Sequence, residues 1–318
     1  MNVSYALDSL RRNWNNQHWY TTVFNSYVAG RLYRRLKGND GEFVVEKDWD
    51  NLLILDGCRF DLFEEVYGEQ FEEGFGGTLS KIRSRGSGSP GYLRENFQGR
   101  DLSDTVYVTA NPFVYKVLDN PFHHVDHVWM NDWDDDLETV RPDTMVEHAI
   151  EAYQTYPNKR LVVHFMQPHH PFIGDFRLSE DRGFLGAKAK SLDEDVPDVK
   201  FVWERLREGE VSEDEVWRAY RDNLVLALEK VGKLIEAIPG KHVVTSDHGN
   251  AFGERVKPFP TTTYGHGDNL HIPALVDVPW LELPADDRRQ IEVGTEESSD
   301  INYEEESIEE RLTALGYK

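Results

Sequence analysis

The sequence has little positive charge, almost no sulfur chemistry and no long apolar run. Only 35 of its 318 residues are lysine or arginine against 58 aspartates and glutamates, for a net charge of -23. Binding a polyphosphate backbone needs a basic face that displaces counterions, so this balance speaks against a nucleic-acid binder. Any anionic ligand must be captured locally, against the global field. A single cysteine, Cys58, excludes an intramolecular disulfide and a multi-thiolate zinc site, which leaves oxygen and imidazole as metal donors. No charged segment leading into an apolar one opens the sequence, and no stretch has the length needed to cross a bilayer. The expected location is cytoplasmic, either free or peripheral at the inner membrane face. The acid excess, with arginine outnumbering lysine, reads as adaptation to high salt, where self-repulsion is screened.

What is present is enough apolar residue, 39%, for a large core. From about residue 46 to 283, strand-like and helix-like segments alternate, which predicts an α/β domain with three α/β/α layers and a mainly parallel sheet. The expected strands are 51–56, 105–109, 160–166, 241–246 and 272–276. Helices are expected over 60–67, 90–97, 143–156 and 213–238, the last stopped by Pro239-Gly240. Residues 174–212 are polar and weakly periodic, an expected insertion or lid. Residues 284–318 form an acidic segment closing on a short helix over 308–315. His123, His124 and His127 are assigned to a surface loop.

Residues 1–45 differ from the rest. Arg11, Arg12, Arg31, Arg34, Arg35 and Lys37 face only Asp8 up to residue 37, and Trp14, Trp19, Tyr20, Phe24 and Tyr27 are interleaved. This is a basic, aromatic, helical arm. It could pack on its own acidic body or on a partner subunit, or meet an anionic membrane surface.

Two apolar runs end alike. Asn51-Leu-Leu-Ile-Leu-Asp56-Gly and Lys241-His-Val-Val-Thr-Ser-Asp247-His-Gly249 each deliver an Asp to the carboxyl end of a strand, the edge where open α/β sheets bind ligands. Asp56, Asp247 and His248 make a plausible site for manganese or zinc; magnesium and calcium, which prefer more oxygen, stay open as alternatives.

These segments, with the serine-rich turn 84–97, His164-Phe-Met-Gln-Pro-His-His-Pro-Phe172, Ser246-Asp-His-Gly-Asn-Ala-Phe-Gly-Glu254 and Tyr264-Gly-His-Gly267, resemble in order the alkaline phosphatase superfamily. The likeness is to its sulfatase-like and lipoteichoic-acid-synthase-like branch, from about residue 48 to the end. The resemblance implies a metal held by Asp56, Asp247 and His248, with Ser89 as nucleophile and fourth donor; Ser87 is the runner-up. Ser89 is expected as the N-cap of its helix, with Pro90 at the first helical position. Arg83 and Arg85 would be anion clamps, or ordinary loop arginines paired with the acidic surface. His169 and His170 resemble substrate-contacting or second-metal histidines, and His266 the late histidine that binds a second metal or a leaving-group oxygen. No Cys-x-Pro-x-Arg motif is present, so the formylglycine route of sulfatases is absent. With an imidazole at His248, the resemblance implies a hydrolase or transferase acting on a phosphate ester: a phosphodiester, or a phosphorylated glycan or lipid head group. The alternatives are sulfuric-ester hydrolysis on glycans and a non-catalytic member that binds an anionic glycan.

Overall fold

The computed structural model describes residues 14–15, 17–178, 200–267, 269–285, 287–294 and 305–315. The apolar run at 51–55 forms β1 (Asn51–Leu55), buried along its whole length. A strand with no polar alternation needs cover on both faces. It lies between two parallel neighbours, β5 (Arg160–Phe165) and β6 (His242–Ser246). The sheet also contains β2 (Thr78–Arg83), β3 (Leu102–Thr109), β4 (Phe122–His127) and β9 (Asp277–Leu283), in the order β2-β9-β6-β1-β5-β3-β4. Within this sheet β9 runs opposite to the other six strands. A separate hairpin pairs β7 (Ala251–Arg255) with β8 (Thr262–Gly265).

The period-2 geometry of β1 divides the core. Leu53 and Leu55 join one apolar cluster, with Leu62 and Phe63 of α3 (Phe60–Val66), Met145 of α5 (Pro142–Thr155) and Tyr220 and Leu224 of α7 (Glu213–Ala237). Leu52 and Ile54 join the other, with Tyr92, Leu93 and Phe97 of α4 (Ser89–Phe97). The layers are therefore α/β/α, as the alternating pattern predicts. Helix α7 starts on a capping box, Ser212 with Glu215, which satisfies two backbone donors at its first turn.

Three expectations need correction. Residues 272–276 are not a strand: Pro273–Val276 is a single helical turn, and the strand is the following segment, β9. Pro279 inside β9 masked it, since proline has no N–H for a ladder. Strands β2 and β4 were missed because one is largely polar and the other rich in histidine. His123, His124 and His127 lie on β4, where the first two pack on Tyr156 and the third meets Tyr115 and Trp129 edge to face. The lid expected at 174–212 falls partly outside the described residues, which resume at 200; within it, α6 (Val202–Glu208) is a helix. The acidic stretch 295–304 also lies outside them, and the terminal helix runs Glu305–Ala314. Among the described residues no helix is long and apolar enough to cross a membrane.

The arm is helical as α1 (Gln17–Phe24) and α2 (Gly30–Lys37), joined by a π turn. It lies on the body: Asn25 exchanges hydrogen bonds with Thr261 and Thr262 at 2.7 and 2.9 Å. Phe24 meets Phe259, and Arg34 pairs with Glu95 at 2.6 Å. Gly30 lies so close that a Cβ there would sit 2.6 Å from the Asn269 carbonyl oxygen.

His242, at the start of β6, is pushed down to about 4 by burial, against the opposing pull of its bond to the Ile238 carbonyl. A histidine held neutral in the fold contributes stability above its unfolded value near 6.5, and loses it as pH falls toward 4. Going from pH 8 to pH 5 should cost about 2 kcal/mol through this residue alone. Urea unfolding at the two pH values checks it: His242→Gln should lose that much less, and an unchanged pH dependence would contradict the assignment.

Candidate metal centre and active site

Strands β1 and β6 are in register, with Leu55 opposite Ser246, so the next residue of each, Asp56 and Asp247, leaves the sheet at the same edge. Both carboxylates are fully buried. Gly57 can follow Asp56 because the chain turns there with φ +64°, a conformation that favours glycine. Its amide donates to Asp247 Oδ1 at 3.0 Å, and the Cys58 amide donates to Ser246 Oγ at 2.9 Å. The two strand ends are thereby tied to each other.

Ser89 Oγ donates to Asp247 Oδ2 at 2.7 Å, lies 3.2 Å from Asp56 Oδ2 and 3.4 Å from His248 Nε2. Here the expected capping role is corrected. Gly88, not Ser89, is the N-cap, and no side chain caps α4. The Ser89 hydroxyl is directed to the carboxylates instead. The loop before it is tightly folded: a Cβ at Gly86 would fall 2.2 Å from the Tyr92 amide nitrogen.

The histidines around this cluster have assigned tautomers, because their Nδ1 atoms face oxygens that can only accept. His248 Nδ1 donates to the Gly249 carbonyl at 2.9 Å and His169 Nδ1 to the His170 carbonyl at 2.5 Å. His266 Nδ1 donates to Asn250 Oδ1 at 2.8 Å, the Asn250 amide group being committed to the Gly57 carbonyl. In each neutral ring Nε2 is then the basic nitrogen. The rings form a row, with His266 4.4 Å from His248 and 5.1 Å from His169, centroid to centroid. Burial pushes His169 down to about 4 and His266 well below its usual range, so both are neutral near pH 7.

One residue missed from the sequence is His164, in mid-strand on β5. It is fully buried, with Nε2 3.4 Å from Asp56 Oδ2 and 3.8 Å from Asp247 Oδ2. Tyr107 holds its Nδ1 at 3.0 Å, the outer contact that orients a ligating imidazole. The available signal was an imidazole in an otherwise apolar run, Leu161-Val-Val-His-Phe165. Asn111 was also missed; its amide donates to Asp56 Oδ2 at 2.6 Å.

The fit to a divalent cation can be judged from this geometry. One ligand atom each from Asp56, His164 and Asp247 lie within 4.8 Å of one another. Asp56 Oδ1 and His164 Nε2 are buried without a hydrogen bond, a costly arrangement for polar atoms unless something else satisfies them. Two carboxylates and two imidazoles suit a cation of the zinc or manganese kind. Burial, reinforced by the charge of Asp56, pushes Asp247 upward. For Asp56 burial pulls the same way but is outweighed by the nearby imidazoles of His164, His169 and His248, and its carboxyl is held well below the usual range.

The other sequence candidates divide. His170 is buried near Phe172 and, with His169 and His266, lines a cavity of about 890 Å³. Arg83 is not brought to the cluster; it pairs with Asp40 and Asp277 at 3.0 and 3.4 Å. Arg85 bonds the Gly41 carbonyl and Glu95 and covers the Phe43 ring. Ser87 donates to the Gly267 carbonyl at 2.7 Å and accepts from the Leu270 amide at 3.1 Å, which anchors the loop carrying His266. Arg59 pairs with Asp61 and Glu254.

No family model matches the chain, and no curated protein matches it in sequence. Among solved structures, it is similar to the lipooligosaccharide phosphoethanolamine transferase EptA, an integral membrane protein from Neisseria meningitidis. The identity is 11% over 89% of this chain, with a TM-score of 0.47, and the match spans only 59% of that protein. The periplasmic domain of the phosphoethanolamine transferase EptC from Campylobacter jejuni is 12% identical over 73% of this chain and 78% of its own, with a TM-score of 0.47. A protein in the alkaline phosphatase superfamily from Vibrio parahaemolyticus is 10% identical over 77% and 62%, with a TM-score of 0.39.

Proposed function

We propose that this protein is a metal-dependent hydrolase or transferase of phosphate esters, with Ser89 as its nucleophile. The observation that carries the reading is the Ser89 hydroxyl at 2.7 and 3.2 Å from two buried carboxylates, in the first turn of a helix. Asp56, Asp247, His164 and His248 would hold the cation. When bound, it would supply charge stabilisation for the seryl oxygen and the phosphoryl group.

The chain's own groups have these parts. Asp247 accepts the Ser89 hydrogen bond and holds Oγ at the carboxylate cluster. The amides at the start of α4 favour negative charge on the attacked group. His169 and His266, held neutral by burial with Nδ1 donating, present Nε2 as an acceptor that can orient an incoming water or acceptor hydroxyl. The cavity, at about 890 Å³, far exceeds a phosphate group, which favours a large alcohol portion such as a glycan or lipid head group. Arg94, Lys116 and Arg207 line it with, among the described residues, one acid, Glu204; Lys116 also pairs with Glu309 and Arg207 with Glu208. These cations replace Arg83 and Arg85 in the reading as anion-attracting groups.

Purified protein supplied with manganese or zinc should cleave an aryl phosphodiester, followed by release of the aryl alcohol, and lose that turnover on chelation. Faster turnover of an aryl sulfate than of every phosphate ester would favour sulfuric-ester chemistry. Stoichiometric metal with no turnover of either class would favour an anion-binding role.

A further inference from the structure

The arm presents two unlike faces. Its inner side, at Asn25, Ala29 and Gly30, is buried against the body. Its outer side carries Tyr20, Tyr27, Val28 and Leu32, between 38% and 50% exposed, interleaved with exposed Arg31 and Arg35. The steps from 20 to 27, 28, 31, 32 and 35 keep to one side of a helix. Single exposed apolar residues are ordinary, but grouped ones mark a contact. Among the described residues, five of the six large apolar side chains that stand exposed fall between Trp14 and Leu32.

Charge selects the partner. Residues 17–37 contain Arg31, Arg34, Arg35 and Lys37 and none of the chain's 58 acids. A surface that is apolar and cationic together complements one that is apolar and anionic together, which is the headgroup boundary of an acidic bilayer. A second copy of this chain could offer acids, but its exposed apolar groups lie in the same basic segment. The acidic body does not cancel the attraction, since charges beyond about 10 Å are largely screened at 0.1 M salt. The arm also reaches the cavity of about 890 Å³, which Thr22 and Tyr27 line together with His169 and His266.

We propose that the outer face of residues 20–35 docks this protein on an anionic lipid surface, with the mouth of the cavity beside the headgroups. The docking stands on the arm alone; the orientation of the mouth matters for catalysis only if the phosphate-ester reading is right. A binding measurement therefore tests the docking without any activity readout.

The experiment is co-sedimentation of the full chain at about 0.1 M salt with vesicles of phosphatidylcholine mixed with phosphatidylglycerol, against phosphatidylcholine alone. The parent should sediment with the mixed vesicles and stay in solution with the neutral ones. The double variants Arg31→Gln/Arg35→Gln and Tyr27→Ser/Leu32→Ser should each bind at least about tenfold more weakly. Because these side chains are exposed, the unfolding midpoint should hold. Should a variant misfold, quenching of parent tryptophan fluorescence by bromine-labelled phosphatidylglycerol gives a second reading, with Trp14 next to the face expected to be quenched. The proposal is overturned if the parent ignores both vesicle types, if the variants bind as the parent does, or if Tyr27→Ser/Leu32→Ser instead dissociates a dimer of the chain.

Discussion

Ser89→Ala should lower kcat/KM for a phosphate ester by at least about ten-thousand-fold, the scale on which removing a nucleophile is felt. The protein around it should survive. Gly88 rather than Ser89 caps α4, so the helix start is not at stake, and the lost hydroxyl removes a hydrogen bond worth about 1 kcal/mol. Metal stoichiometry should hold, because Asp56, Asp247, His164 and His248 remain. Ser87→Ala provides the contrast: its two bonds to residues 267 and 270 are structural, so its first effect should be on stability. Steady-state kinetics, metal analysis and thermal unfolding of the two variants check this. Near-parental turnover in Ser89→Ala would remove the serine from the mechanism.

Asp247→Asn should have opposite effects on the metal-free and metal-loaded protein. Without a cation, two carboxylates are enclosed together, and burial and the neighbouring charge push Asp247 upward. An amide keeps the acceptor for the Gly57 and His248 amides and removes one buried charge. The metal-free variant should therefore be more stable than the parent by about 1–2 kcal/mol near pH 7. With metal the order should reverse. The parent gains about 4 kcal/mol when the cation is present at a thousand times its dissociation constant, whereas losing an anionic ligand should weaken binding at least about a hundredfold and erase most of that gain. Unfolding with chelator and with added manganese or zinc separates the two effects. A parent whose unfolding midpoint ignores metal would contradict a cation site at Asp56 and Asp247.

The parts of this site carried by local patterns were legible, and those carried by register were not. Asp56, Asp247 and His248 follow apolar runs that read as buried strands, and Ser89 precedes a proline that marks a helix start. His164 reads as core because nothing near it in sequence says that β1 and β6 will bring two carboxylates to its side. Asn111 is legible only once β3 is placed beside β5. The arginines misled in the opposite direction: Arg83 and Arg85 sit close to Ser89 in sequence, but the folded loop turns them to Asp40, Asp277 and Glu95. In the fold, Leu52 to Leu55 announced the central strand by composition. Strand β9 did not announce itself, since Pro279 breaks the pattern while its carbonyl still accepts a hydrogen bond from Thr245.

The central claim is that phosphorus passes through Ser89. Acid quenching of the metal-loaded protein during turnover of an aryl phosphate ester, followed by peptide mass spectrometry, tests it most directly. A phosphoryl adduct on Ser89 that disappears in Ser89→Ala is the predicted result; an adduct on another residue, with turnover intact in Ser89→Ala, would contradict it.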